Sequence, residues 1–504
     1  MTEGSWDSLG RLYGTGVQWM LDSEAFAEFK RYIGSSNVRF NEPHRVREGH
    51  EQLFNKKGKV HARRCGSIDV EPGAPTKEKR FVSAQTVAAM LAASDGSLNL
   101  EGYCMPPSGP KAIHASLRSQ LLRQKPGDWS KMTAVPDFMT KLDDFIGLYS
   151  PVSPCTTQDI ATIVDDYLAS MDGTRSAGFS SRYLKGQKSA WLEPKARSVL
   201  LYLVQCRLAL RMGAGSGIDH LSAKDMVRLG LKDPEEPFTK EEAHDPKKAA
   251  EERWRIIWCA SIVDAVCMEV THHDQNKQDI KDFQQGDLDC SAVGMGHDDK
   301  GIARLGAVFE AMRAKGNLGT SDASGWDMSV CRDAFVFDAE RRIRRVRCTS
   351  LWLVHARLLM AEAMTMSTHV LIVGSALLEF TIFGIMASGI PSTSASNTPV
   401  RSFTLRVAGA ILAIAMSDDE VHCGEIDVNL LETGGTITKE GKVTVVGPDD
   451  PIDFTSHDFV QLGEGRWTAS FRNTAKLVAH LDLRRKEGEA PSQEQLAGAL
   501  FAVR

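Results

Sequence analysis

Two short acidic segments carry the residue types best suited to binding divalent cations. In Gly319-Thr320-Ser321-Asp322-Ala323-Ser324-Gly325-Trp326-Asp327, a short strand leads into Asp322 and a turn opens a helix near Met328. Asp322 and Asp327 stand five residues apart across that turn, so both can face one cavity while doing different jobs. Alone this pair says little, because Asp in a Ser/Gly turn usually bonds its own backbone. The second segment, Ile411 to Gly424 (ILAIAMSDDEVHCG), is an apolar strand that runs into Ser417-Asp418-Asp419 and leaves through Glu420-Val421-His422-Cys423. Adjacent carboxylates at a hairpin tip repel each other and resist desolvation. A divalent cation removes that repulsion, and Asp322 with Asp418 and Asp419 supplies hard oxygen ligands for two Mg²⁺ ions. Two such ions about 4 Å apart stabilise both the attacking and the leaving oxygen of a phosphoryl transfer. His422 and Cys423 are read as local packing, since two lone soft ligands make no closed site.

Between the acidic segments lies Ala387-Ser388-Gly389-Ile390-Pro391-Ser392-Thr393-Ser394-Ala395-Ser396-Asn397. A Gly/Ser-rich loop opening a helix presents hydroxyls, backbone N–H groups and one amide, which suits a ribose- and phosphate-bearing ligand. It is also an ordinary capped helix start, and the two readings are compatible.

The elements that must position these groups are of mixed type. Apolar spacing predicts a long helix from Ala190 to Met212 and another from Trp258 to Val270, with a charge-dense stretch, Lys232 to Arg255, between them. Residues 1–80 read as polar and irregular, and the basic run Lys56-Lys57-Gly58-Lys59 with Arg63-Arg64 reads as a solvated loop. From residue 316 onward, short apolar strands alternate with loops rich in Asp, Ser and Gly. The tail after Gly463 is expected to return to helix, with Ser492 and Gln495 forming a capping box. Strands and helices run in blocks, so the class is α+β and not a series of βαβ units.

At 504 residues the chain can bury a large core, and its net charge of −5 argues against a surface coated in basic residues. The ten cysteines show no C-x-x-C spacing and read as reduced thiols. The N-terminus lacks the apolar stretch of a signal peptide. Val370 to Ala387 (VLIVGSALLEFTIFGIMA) is nearly long enough to span a membrane, but it carries Glu379 and is broken at Gly374-Ser375. Two buried strands joined by a tight turn are expected there, and no membrane anchor.

Taken in order, the three segments resemble motifs A, B and C of viral RNA-dependent RNA polymerases. The wording SDASGWDMSV and FTSHDFV is similar to the sobemovirus, polerovirus and barnavirus group and its alvernavirus relatives. The resemblance implies that Asp322, Asp418 and Asp419 hold two Mg²⁺ (or Mn²⁺) ions. It implies that Asp327 and Asn397 sense the ribose 2′-hydroxyl, and that Ser388, Gly389 and Thr393 complete the nucleotide site. Phe238 to Ile257 looks like motif F, a basic finger over the incoming triphosphate, with Lys240 and Arg255 in the leading role and Lys247, Lys248 and Arg253 beside them. Ser176 and Gly178 resemble the template-guiding motif G. Lys439, with Lys442 as a competitor, matches the motif-D general acid. Ser456 and His457 fall in a motif-E hairpin that braces the product.

Two departures stand out: Ser417 replaces the Gly of Gly-Asp-Asp, and Ser392 stands where many relatives have Gly. The Arg run at 341, 342, 344, 345 and 347 is read as either an RNA-channel lining or a solvated face.

The resemblance implies a closed right hand, with fingers from residues 1–315, a palm from 316–463 carrying a fingers insertion at about 335–370, and a short helical thumb from 464–504. It implies RNA-directed RNA synthesis for a positive-strand virus in the host cytoplasm. The partners would be template RNA, nascent RNA, nucleoside triphosphates and other viral replication proteins. The alternatives are a reverse transcriptase-like polymerase, which Asp327 with Asn397 argues against, and a non-catalytic RNA-binding replicase subunit.

Overall fold

The computed structural model describes residues 22–41, 52–54, 57–69, 76–94, 96, 98–125, 127–153, 159–321, 323–347, 352–436, 438, 443–463 and 465–484. It is an α+β protein with separate antiparallel sheets. The acidic hairpin belongs to a four-stranded sheet ordered Leu412–Met416, Asp419–Cys423, Leu318–Thr320, Thr444–Val446. The acidic hairpin is in register Met416 opposite Asp419 and Leu412 opposite Cys423. Its second strand then pairs Val421 with Thr320 and Cys423 with Leu318. Ala413, Ile414 and Ala415 are fully buried, which is why so short a sheet holds.

The expected buried hairpin is present as strands Val370–Val373 and Ala376–Phe380, all nine residues buried. It extends a five-stranded sheet through Val60–Ile68 to Val38–Phe40, so residues far apart in sequence share one sheet. The basic run expected as a solvated loop is a turn at Lys57-Gly58 followed by that nine-residue strand, in which Arg63 pairs with the buried Glu379 at 3.2 Å. Lys56 lies outside the described residues. No helix among the described residues is long and apolar enough to cross a membrane.

Two helix expectations need new boundaries. The first helix is Pro194–Ala214, with Pro194 in the first turn where a missing N–H costs nothing. The second begins later than expected, at Ile262, and runs to Gln285. Trp258 belongs instead to strand Ile256–Cys259, whose β-branched and aromatic residues pair with Glu236–Thr239. Ser261 starts the helix by accepting the Asp264 N–H at 3.0 Å. The tail also differs: strand Arg466–Phe471 pairs with His457–Gly463 before helix Thr474–Arg484 begins. The Ser492–Gln495 capping box lies outside the described residues.

The Arg run is neither a channel lining nor a solvated face. Arg341, Arg342 and Arg345 are buried on helix Arg332–Arg345. Asp338 takes Arg341 at 2.7 Å and Arg342 at 2.9 Å, and Asp279 takes Arg345 at 2.5 Å. Only Arg344 and Arg347 are exposed, and Arg344 bonds Asp143 and Glu340. The periodicity of a charged helix face does not reveal whether acids from other elements come to meet it. The eight described cysteines are free thiols. Cys155 and Cys348 lie outside the described residues.

Burial pushes the Asp338 carboxyl up, but Arg342 and Arg341 outweigh it and hold it below the usual carboxylate range. A depressed carboxyl stabilises the fold above its unfolded value of about 4 and loses that contribution only as acid titrates the folded group. Asp338→Ala removes the closest carboxylate from two buried guanidiniums and should lower the unfolding free energy at pH 7 by about 3–5 kcal/mol in urea titration. Arg344→Ala should cost under about 1 kcal/mol.

Candidate active site

The acidic hairpin turns at Ser417 and Asp418. Ser417 takes a left-handed backbone, φ 60°, a conformation that glycine adopts at lower cost. Its N–H donates to Thr398 Oγ1 at 2.8 Å, which anchors the turn to helix Thr393–Val407. Asp418 and Asp419 are half-buried at this tip. Asp322 lies outside the described residues, as do Lys439 and Lys442. Its neighbour Ser321 is buried beside the hairpin, donating its hydroxyl to Glu420 Oε1 at 2.5 Å. Among the described residues, no group of three or more His, Cys, Asp or Glu is arranged to hold a metal ion.

Asp327 opens the short helix Trp326–Ser329, and Ser388 donates its hydroxyl to Asp327 Oδ2 at 2.7 Å. Burial pushes the Asp327 carboxyl up to about 6, Asp418 adds to the rise, and the Ser388 hydroxyl and Arg255 oppose it. The second acidic segment, the Gly/Ser loop and the basic finger therefore act on a single carboxylate of the first. Trp326 Nε1 donates to Asn397 Oδ1 at 2.9 Å, and the Asn397 amide nitrogen lies 3.5 Å from Ser417 Oγ. Asn397 thus stands between the two acidic segments.

The Gly/Ser loop packs on the basic finger. Trp258 N–H donates to the Ser388 carbonyl at 2.8 Å, and a Cβ on Gly389 would come within 2.6 Å of Ile257 Cγ2. Gly389 also has φ +102°, so two independent constraints require glycine. Thr393 turns inward, its hydroxyl lying within 3.1 Å of the Ala387 carbonyl and 2.7 Å of the Ile390 carbonyl. Ser392 is left-handed at φ 61°, and its hydroxyl accepts from Asn276 Nδ2 at 2.9 Å. A serine where glycine is usual is held in the glycine conformation by a neighbouring helix.

Lys240 and Arg255 face each other at the mouth of the finger, with the Lys240 N–H donating to the Arg255 carbonyl at 2.8 Å. Arg255 is exposed, and Lys240 pairs with Glu242 at 3.1 Å. The other basic residues of the finger stand around its short helix Pro246–Ala250. Lys248 pairs with Asp245, Arg253 pairs with Glu251, and Lys247 is exposed. Ser176 is exposed and accepts the Gly178 N–H at 3.0 Å. A Cβ at Gly178 would meet the Ala260 carbonyl at 2.4 Å, which ties this loop to the end of the finger. Thr455 and Ser456 are both left-handed (φ 53° and 63°) and form the tight turn between strands Ile452–Phe454 and His457–Gly463, where His457 stacks on His297 at 4.1 Å. A separate groove of about 650 Å³, lined by Lys111, His114, Arg118, Glu251 and Glu252 among others, does not include Asp327, Asp418 or Asp419.

Sequence reasoning assigned nothing to Arg401 or Glu420, yet both are buried against the acidic hairpin. Burial pushes the Glu420 carboxyl up, but His422 at 2.9 Å and Arg401 together hold it below its usual value. The signal was present as a third acid, Glu420, directly after the acidic pair on the largely buried returning strand Asp419–Cys423.

No protein-family model matches the chain. It is 32% identical over 208 residues to the replicase polyprotein P2AB of Southern cowpea mosaic virus, covering 41% of this chain and 21% of that protein. It is 26% identical over 393 residues to protein P1-P2 of Turnip yellows virus, covering 71% of this chain and 36% of that protein. It is also 28% identical over 268 residues to the RNA-directed RNA polymerase of Mushroom bacilliform virus, covering 50% of this chain and 61% of that protein. The relatives are viral replicase proteins. They come from the sobemovirus, polerovirus and barnavirus group that the motifs resemble, and the matches span about a fifth to three-fifths of these relatives' own lengths.

A raised carboxyl pKa disfavours folding above that pKa, and the penalty fades as pH falls toward the unfolded value. In metal-free protein, Asp327→Asn should therefore raise the thermal stability at pH 8 by on the order of 1–3 kcal/mol. The gain should shrink as pH drops below about 6. A pH-independent difference in differential scanning fluorimetry would contradict the assignment.

Proposed function

We propose that this chain is an RNA-directed RNA polymerase, making RNA 5′ to 3′ from ribonucleoside triphosphates on an RNA template, in the replication of a positive-strand RNA virus. The observation that carries the reading is one carboxylate, Asp327, acted on at once by Ser388, Asp418 and Arg255. A hydroxyl-sensing group, an acidic pair and a basic finger acting on one carboxylate support this reading, because nucleotidyl transfer needs all three together.

In this reading Asp322, Asp418 and Asp419 hold two Mg²⁺ or Mn²⁺ ions. The described part of the donor set fits: Asp418 and Asp419 are half-buried carboxylates, which are hard ligands, and Asp418 helps to raise the pKa of Asp327. When bound, the ions stabilise the attacking 3′-hydroxyl and the leaving pyrophosphate oxygen. Arg255 and Lys240, assisted by Lys247, Lys248 and Arg253, take the triphosphate, Arg through its planar fork and Lys as a point charge. Asp327 and Asn397 recognise the ribose 2′-hydroxyl beside Ser388, Gly389 and Thr393, and Lys439 supplies the proton to the leaving oxygen. Ser176 and Gly178 contact template, and Ser456 and His457 brace the product strand.

The matching architecture is a closed right hand, with fingers from residues 1–315, a palm from 316–463 and a short thumb from 464–504. Its setting would be a replication complex in the host cytoplasm with other viral replication proteins.

Purified protein with a primed RNA template, Mg²⁺ and four NTPs should extend the primer, and should prefer NTPs to dNTPs. Asp418→Asn should reduce extension by at least ~10²–10³-fold, the usual cost of losing one electrostatic stabiliser of the transition state, with the circular dichroism spectrum unchanged. Normal extension by that variant would refute the assignment of the carboxylates. Tight RNA binding without metal-dependent incorporation would favour a non-catalytic replicase subunit.

A further inference from the structure

The strand bearing the acidic pair and the strand leading to residue 322 are fastened by a side chain from a third element. Arg401, within helix Thr393–Val407, is fully buried. Its Nε donates to the Asp418 carbonyl at 3.2 Å. Its Nη2 donates to the Ser321 carbonyl at 3.1 Å and to the Ser321 hydroxyl at 2.7 Å. The Ser321 carbonyl belongs to the peptide that continues into residue 322, and the Asp418 carbonyl to the peptide that joins the acidic pair. One rigid guanidinium thus spans the backbone of both acidic segments. Glu420, 3.6 Å from Nη2, supplies the counter-charge and also accepts from Ser321, closing a ring of Arg401, Ser321 and Glu420. His422 backs Glu420 from the far side at 2.9 Å.

A buried charge is an expensive way to fill a core, and apolar residues of similar volume are often at least as stabilising. What arginine offers and an apolar residue lacks is a fixed fork that spaces two backbone groups. We propose that Arg401 is a positioning residue that sets the separation of the acidic segments and so the affinity of the site for divalent cations. The proposal rests on the polymerase reading above.

The test is Mn²⁺ titration followed by electron paramagnetic resonance on the full chain, for wild type, Arg401→Lys, Arg401→Met and the charge-matched Arg401→Met/Glu420→Gln. Thermal midpoints and primer extension are measured on the same preparations. Half-saturation by Mn²⁺ should rise by about 10–100-fold in the Met variants, as for other residues that orient metal ligands, and by less in Arg401→Lys. In extension, kcat should fall while KM for NTP stays within about threefold, the pattern of an interaction that matters chiefly in the transition state. If the Met variants do not fold, Arg401→Lys, which keeps the charge but cannot span both carbonyls, carries the comparison. Folded variants that bind Mn²⁺ as wild type does, while wild type extends primers, overturn the inference and leave the polymerase reading standing. A wild type that neither binds Mn²⁺ nor extends a primer overturns both.

Discussion

Like charges held side by side at the end of an apolar strand set the terms for the rest of this structure. Asp418 and Asp419 follow the wholly buried Ala413, Ile414 and Ala415 and stand half-buried at the tip, where their charges repel each other. The Asp418 charge reaches Asp327, whose own burial already works against ionisation. Nothing apolar can relieve that strain, whereas a small divalent cation does so directly. The surroundings make sense as a frame that keeps these acids together despite their repulsion.

The frame is built from cations placed inside the core. Arg401 grips the backbone at Ser321 and Asp418, while Arg342 is within 3.1 Å of Asn276, which in turn bonds Ser392 at the start of the same helix. Both positions where serine replaces an expected glycine, Ser392 and Ser417, are left-handed and hydrogen-bonded to a neighbouring helix. Their strain is therefore carried by long-range contacts, and the loop and the turn are held with little slack. The basic finger closes the arrangement through Trp258 and the tight approach of Gly389 to Ile257.

Much of this was legible in the sequence. The hairpin at Ser417-Asp418, the buried pair of strands around Gly374-Ser375 and the helix opening after Ser392 follow from local turn chemistry and apolar runs, which are written in adjacent residues. The errors came where partners are distant. Arg345 looked like a surface residue because its partner, Asp279, lies on another helix, although Asp338, the partner of Arg341 and Arg342, lies on their own. Trp258 looked helical because its strand partner, Glu236–Thr239, lies across a long loop. Arg401 and Glu420 had no recognisable motif, since their meaning exists only once three elements meet. The relatives match this chain at 26–32% identity over 208 to 393 residues, which supports the family resemblance and says less about this frame.

The most direct measurement is an anomalous-scattering map from crystals of the full chain soaked in Mn²⁺. The account predicts density between the carboxylates of Asp322, Asp418 and Asp419. Peaks confined to other sites, with residue 322 directed away from the acidic hairpin, would contradict it.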